Sequence, residues 1–214
     1  MQPRTQQPDR PEPVRRERGE RRRRKILEAT LRVIARGGVA GLTHRAVAAE
    51  ADVPLASTTY YFATKLELLL EACRFHSQRM EARFDAIEAQ LEQTEPTPGR
   101  LAAALTRILS AQLYPSHADL LAEYELVLEA ARREELRSLA QAWSLRMRRR
   151  IARWLRRAGS TDPATDAAIV LAVVSGADIE NLSVGYGPDQ ERVLRRALAR
   201  LLRKLLASAP RSGL

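Results

Sequence analysis

The chain has 214 residues, 45% of them hydrophobic and 29% charged, which supplies a sizeable core and leaves no room for three domains. Its longest apolar or small run, residues 167–177, is short of the roughly 18 residues a bilayer crossing needs, and no apolar segment opens the chain as a secretory signal would. A cytoplasmic protein without a membrane partner is therefore expected. One cysteine, Cys73, excludes an internal disulfide framework and a cysteine-based zinc site, and is expected as a buried small hydrophobe. The formal net charge is +10, and residues 1–25 hold ten Arg or Lys against four Asp or Glu, so most of the excess is N-terminal and suits a polyanionic partner.

Residues 1–21, with Pro3, Pro8, Pro11 and Pro13 followed by arginines, cannot bury a core and are expected as a disordered basic arm. Beyond them aromatics are scarce, and Ala, Leu, Arg and Glu recur with apolar spacing near 3.6, which predicts an all-α protein of about nine helices and no strand. Ile26, Leu27, Thr30, Val33 and Ile34 share one face of a first helix that ends at Gly37 and Gly38. Thr43 caps a short helix running to Ala51, and a second short helix follows Pro54. Leu66, Leu69, Leu70, Cys73, Met80, Phe84, Ile87 and Leu91 mark one long helix. Helices over 101–113, 118–132, 136–158, 163–182 and 190–207 complete the chain, with prolines at their starts or in the loops between them. Residues 209–214 are left as a tail.

The informative stretch is GLTHRAVAAEADVPLASTTYYFATK, residues 41–65, where two short helices stand three or four residues apart, the spacing of a helix-turn-helix. Ala46, Val47 and Ala51 face inward, and small Ala48 permits close approach of the two helices. Asp52 suits a left-handed turn residue, and Val53 plugs the angle. Pro54 suits the first helical position. The second helix offers Leu55, Ala56, Ser57, Thr58, Thr59 and Tyr60, short or hydroxyl-bearing groups that fit a major groove. Lys65 and Thr64 open the next helix, whose N-terminal amides suit a phosphate.

This segment resembles the DNA-binding domain of tetracycline-repressor (TetR) family transcriptional regulators over residues 22–70. Thr43, Arg45, Val47, Ala48, Ala51, Val53, Phe62 and Lys65 fill the family frame, while Asp52, Ala56, Thr58, Thr59 and Tyr61 depart from its usual residues. The resemblance implies a three-helix DNA-binding domain followed by a larger helical domain, residues 71–208, that binds a small-molecule effector and dimerises. It implies a ligand-responsive repressor that binds a pseudo-palindromic double-stranded DNA operator as a homodimer. Thr43, His44, Arg45, Leu55, Ala56, Ser57, Thr59, Tyr60 and Lys65 are the candidate DNA contacts, with Tyr60 on a phosphate and Phe62 in the core.

In the larger domain, residues 163–182 are apolar nearly all round, and Val193, Leu194, Ala197, Leu198, Leu201, Leu202, Leu205 and Leu206 form one apolar stripe. Paired with symmetry mates, these surfaces would make a four-helix bundle, with Val174, Leu194, Leu198, Leu201 and Leu205 as the dimer contacts. Polar residues among apolar ones mark a pocket: His117, Glu123, Tyr124, Trp143, Asp178 and Asn181. His76 and His117 are too scattered for a metal site, and no cofactor is expected. Arg146, Arg148, Arg149, Arg150, Arg153, Arg156 and Arg157 read as a solvated helix face. Dinucleotide, P-loop, zinc-protease and nucleophile-elbow motifs are missing, so an enzyme is not expected. A helical protein-interaction module remains as the alternative, but it leaves the 43–65 pattern unexplained.

Overall fold

A computed structural model describes residues 12–93, 97–109, 116–185 and 187–207. The expected arm over 1–11, the tail 209–214 and the helix residues 110–113 lie outside them. Nine helices make up the described chain: α1 (Glu12–Gly37), α2 (His44–Glu50), α3 (Leu55–Tyr61), α4 (Lys65–Glu92), α5 (Pro98–Leu109), α6 (His117–Arg132), α7 (Glu134–Arg157), α8 (Pro163–Val184) and α9 (Pro188–Ala207). No strand is present among the described residues. The proline-led starts at Pro98, Pro163 and Pro188 agree with the sequence reading, since proline at a first turn forfeits only an amide with no helical partner. One expectation needs correction. The first helix starts at Glu12, so residues 12–21 are helical where a disordered arm was expected; Arg21 with Glu17 and Arg24 with Glu28 form ion pairs one turn apart along it.

Two clusters of buried side chains organise the molecule. The first joins Ile26, Leu27 and Ile34 of α1 to Val47 of α2, Phe62, and Leu68 and Leu69 of α4. The second joins Met80, Phe84 and Ile87 of α4 to Leu101, Leu105, Met147, Ile151, Trp154 and Leu198. Helix α4 thus belongs to both. So does the packing of α6, because Ala122, Leu126 and Ala130 are buried in the first cluster although α6 belongs by sequence to the larger domain. The boundary expected at residue 70 is therefore not a boundary in packing.

The two outermost helices settle the stripe. Helix α9 lies along α5 and buries Leu194, Leu198 and Leu202 within the same protomer. Leu201 and Leu205 are half-buried against that core, and Val174 faces an internal cavity. Leu194 and Leu198 are therefore spent on the protomer's own core and are not an intersubunit face. What α8 and α9 leave outside instead is Ile169, Ala172, Gly176 and Ile179, with Val193. Helix α8 alone among the described helices is long and apolar enough to cross a membrane by those two measures. It packs on α7, α9 and α6, with Asp166, Asp178 and Asn181 buried.

Candidate DNA interface and internal cavity

The helix-turn-helix forms for local reasons. Thr43 adopts extended backbone before α2, and its Oγ1 accepts a hydrogen bond from the Ala46 amide at 3.0 Å, capping the helix. Asp52 takes the left-handed conformation, φ 47°, that turns the chain between α2 and α3. Pro54 sits one residue earlier than expected, as the cap before α3. Arg32 and Arg36 of α1 both pair with Glu50, pinning the C-terminal end of α2, and the hydrogen bond from Arg32, then that from Arg36 and the charge of both, holds its carboxyl below the usual range against the effect of burial.

This frame sets the outward face of α3. Leu55, Ala56, Thr59 and Tyr60 are exposed, Tyr60 at 81%, whereas Ser57 is half-buried. Thr58 is fully buried, its hydroxyl donating to the Leu55 carbonyl at 2.8 Å, which fits its standing where the family usually has leucine. Phe62 is buried under the Arg23 guanidinium, 5.4 Å from its ring centre. Arg45 and Lys65 are exposed, and Lys65 Nζ donates to the Ala40 carbonyl at 3.5 Å. His44 departs from expectation: both ring nitrogens are buried with no hydrogen-bond partner, so they do not point to a phosphate. At the start of α4 the expected phosphate amides are partly engaged: Ala63 donates to Glu67 and Glu67 to the Thr64 hydroxyl. Helix α1 adds what sequence reasoning assigned to a loose arm. Arg16, Arg18, Arg22 and Lys25 line a groove shared with Tyr60 and Tyr61.

The second site is a cavity of about 600 Å³ lined by α4, α5, α6, α7 and α8 and open to solvent on one side, where Val127, Arg148 and Ser175 are exposed. Its walls are apolar, with Met80, Phe84, Trp143 and Met147 prominent and a few polar groups converging. His76 of α4 pairs through Nε2 with Glu123 of α6. The Tyr124 hydroxyl donates to the Ser175 carbonyl at 3.1 Å, and burial beside Asp178 and Glu123 raises its pKa. Burial pushes the Cys73 thiol up to about 12, so it is an inert wall residue. Burial, then the charge of Glu123, pushes Asp178 up to about 7.

Of the six polar residues marked in the sequence, Glu123, Tyr124, Trp143 and Asp178 line the cavity. Two do not: His117 is exposed at the first residue of α6, and Asn181 is buried one turn beyond Asp178 without reaching the wall. His76, for which the sequence favours an ordinary helix-surface or pocket role, lies on the wall in the α4 register of Cys73, Met80 and Phe84. No cluster of metal-ligating side chains occurs among the described residues. The basic face of α7 is less solvated than expected: Arg150 bonds Asp85 and Glu88 of α4, and Arg146 bonds Glu81 at 2.6 Å.

A helix-turn-helix on a helical scaffold with an internal cavity defines a DNA-binding regulator, and comparison with known proteins gives the family. Residues 26–72 match the family of bacterial regulatory proteins of the tetR type, and residues 96–204 match the tetracyclin repressor-like C-terminal domain. The chain belongs to the TetR family of transcriptional regulators. It is 34% identical over 147 residues to the transcriptional regulator BetI of Agrobacterium fabrum, covering 69% of each chain. Among solved structures, a TetR family member from Streptomyces coelicolor A3 is 34% identical with TM-score 0.64, over 84% of this chain and 97% of that one. The multidrug binding protein EbrR, complexed with malachite green, is 37% identical with TM-score 0.62, over 85% and 98%.

Proposed function

We propose that the protein is a homodimeric repressor that binds an inverted-repeat operator and is released by a small molecule entering the cavity. One observation carries the ligand response: α6 faces two ways. Glu123, Tyr124 and Val127 line the cavity, Ala122 packs into the DNA-binding core, and Leu126 and Ala130 belong to both. A ligand that shifts α6 relative to α4 must move the platform beneath α3. It lowers operator affinity only to the extent that it prefers the shifted state.

The relatives support this reading, since EbrR is described as a multidrug binding protein. Dimerisation supplies the second half-site, because one seven-residue α3 contacts too few bases by itself. The uncovered face of α8 and α9, with Ile169, Ala172, Gly176, Ile179 and Val193, is the surface for it. Leu55, Ala56, Thr59 and Tyr60 read or touch the groove, and Arg45 and Lys65 meet backbone phosphates. Selection of random duplex DNA by the purified chain should enrich an inverted repeat; an enriched pool without twofold symmetry, or none at all, would overturn the reading.

A further inference from the structure

The cavity holds a buried carboxyl oxygen with no hydrogen-bond partner in the protein. Asp178 is 5% exposed and lines the wall, and its Oδ1 is fully buried without a hydrogen-bond partner. Native proteins rarely leave such an acceptor bare unless something outside the chain completes it. The titratable groups around it are Cys73 and His76 from α4, Glu123 and Tyr124 from α6, and Arg148 from α7; α5 contributes no charged group to the wall, and α9 no residue at all.

Each of those groups is accounted for. Glu123 has His76, Tyr124 donates to Ser175, and Cys73 is neutral. Arg148 is exposed at the wall and leaves Asp178 under the opposite influence, for the groups acting on that carboxyl are its own burial and the negative charge of Glu123. Asp178 is thus the one unmatched acid of a mainly apolar cavity whose wall also includes the indole of Trp143, a ring type that favours positive charge.

We propose that the cavity is a proton-for-cation exchange site: Asp178 gives its proton to solvent as the cationic group of an organic ligand takes its place at the carboxylate. The ligand's apolar body lies against Trp143, Met80 and Met147. Charge balances, since one proton leaves for each positive charge that enters. The chemical class is a monocation with an aromatic or aliphatic body. This rests on reading the cavity as the effector site. Because the empty-site carboxyl titrates near 7, cation affinity should climb about tenfold per pH unit below that point and level off above it.

The test uses calorimetry on the full chain with N-methylacridinium, whose charge is permanent, and with neutral acridine of the same ring system. At about pH 6 the cation should release close to one proton per molecule bound, measured in two buffers of different ionisation heat. At about pH 8 acridine should bind at least tenfold more weakly than the cation. Asp178→Asn should abolish both the pH slope and the preference for charge, while His76→Gln keeps them. Should the variant fail to fold, the proton count on the unmodified chain decides alone. A slope that survives Asp178→Asn and vanishes in His76→Gln would overturn the proposal. Equal, proton-free binding of both compounds would overturn it too, yet leave the cavity a small-molecule site; failure of both to bind would remove the two readings together.

Discussion

Asp52 shows how one residue carries the turn of a DNA-reading motif at a cost. A non-glycine residue at positive φ is strained by about 1 kcal/mol, and the partner interaction there is a surface contact, with Lys25 Nζ 3.8 Å from the carboxylate. Asp52→Gly should therefore raise thermal stability by roughly 0.5–1 kcal/mol and leave operator affinity unchanged, as melting and anisotropy titrations would show. Asp178 sets a second dependence at this scale. Its folded pKa of about 7 lies above the ordinary 3.8, so the folded state holds the proton more tightly. The stability this gives is complete below about 3.8 and is lost as pH rises through about 7. Asp178→Asn should remove that decline between acid and neutral pH and be more stable than the parent at about pH 8, by an amount on the order of a few kcal/mol. A parent and variant with parallel melting profiles across that range would contradict it.

At the scale of the element, the two sides of α9 and the outer face of α8 separate folding from assembly. Leu198 is fully buried against the core shared with α5, so a charge there strands an unpartnered ion inside the protomer. Ile179 is 57% exposed in the single chain. Ile179→Glu should keep the helical spectrum and melting behaviour of a folded protomer while light scattering reports monomers. Leu198→Glu should lose cooperative melting altogether. A dimer persisting in Ile179→Glu would move the interface elsewhere. Helix α6 illustrates the converse. Its buried residues are shared between the DNA-binding core and the cavity wall, which makes it the packing link between the two sites.

Over the whole molecule, the placement of charge bears on the proposed operator binding. The basic residues near the N-terminus divide into structural and free ones: Arg23 is paired with Glu71 and Lys25 with Asp52, whereas Arg16, Arg18 and Arg22 have no ion pair among the described residues. They sit on a helical ridge beside Tyr60 rather than on a loose tether. Replacing these three by Gln should make the log–log salt dependence of operator binding shallower by about 0.9 for each phosphate they neutralise, summed over both subunits of the proposed dimer. Lys65→Ala should weaken all duplexes alike by roughly 1 kcal/mol, whereas Thr59→Ala should change preference at one base pair. Unchanged slopes would mean that the α1 ridge does not touch DNA.

Much of this was legible in the sequence, because it depends on residues close along the chain. Helical period, the Thr43 cap, the left-handed Asp52 and the burial of Phe62 are local or nearly so, and they were enough to recognise the DNA-binding unit and an all-α architecture. The apolar stripe of α9 was equally visible, but a stripe does not say what covers it: α5 covers Leu194 and Leu198, and the exposed remainder passes to α8. Likewise His76 and Glu123 stand 47 positions apart in the chain, and only the crossing of α4 and α6 brings them together. The sequence determined the helices and their faces, since those follow from side-chain chemistry at fixed local spacing. Which faces meet was decided by tertiary packing alone, because burial of a residue is a property of its distant neighbours, and that choice made the cavity and left Asp178 unmatched within it.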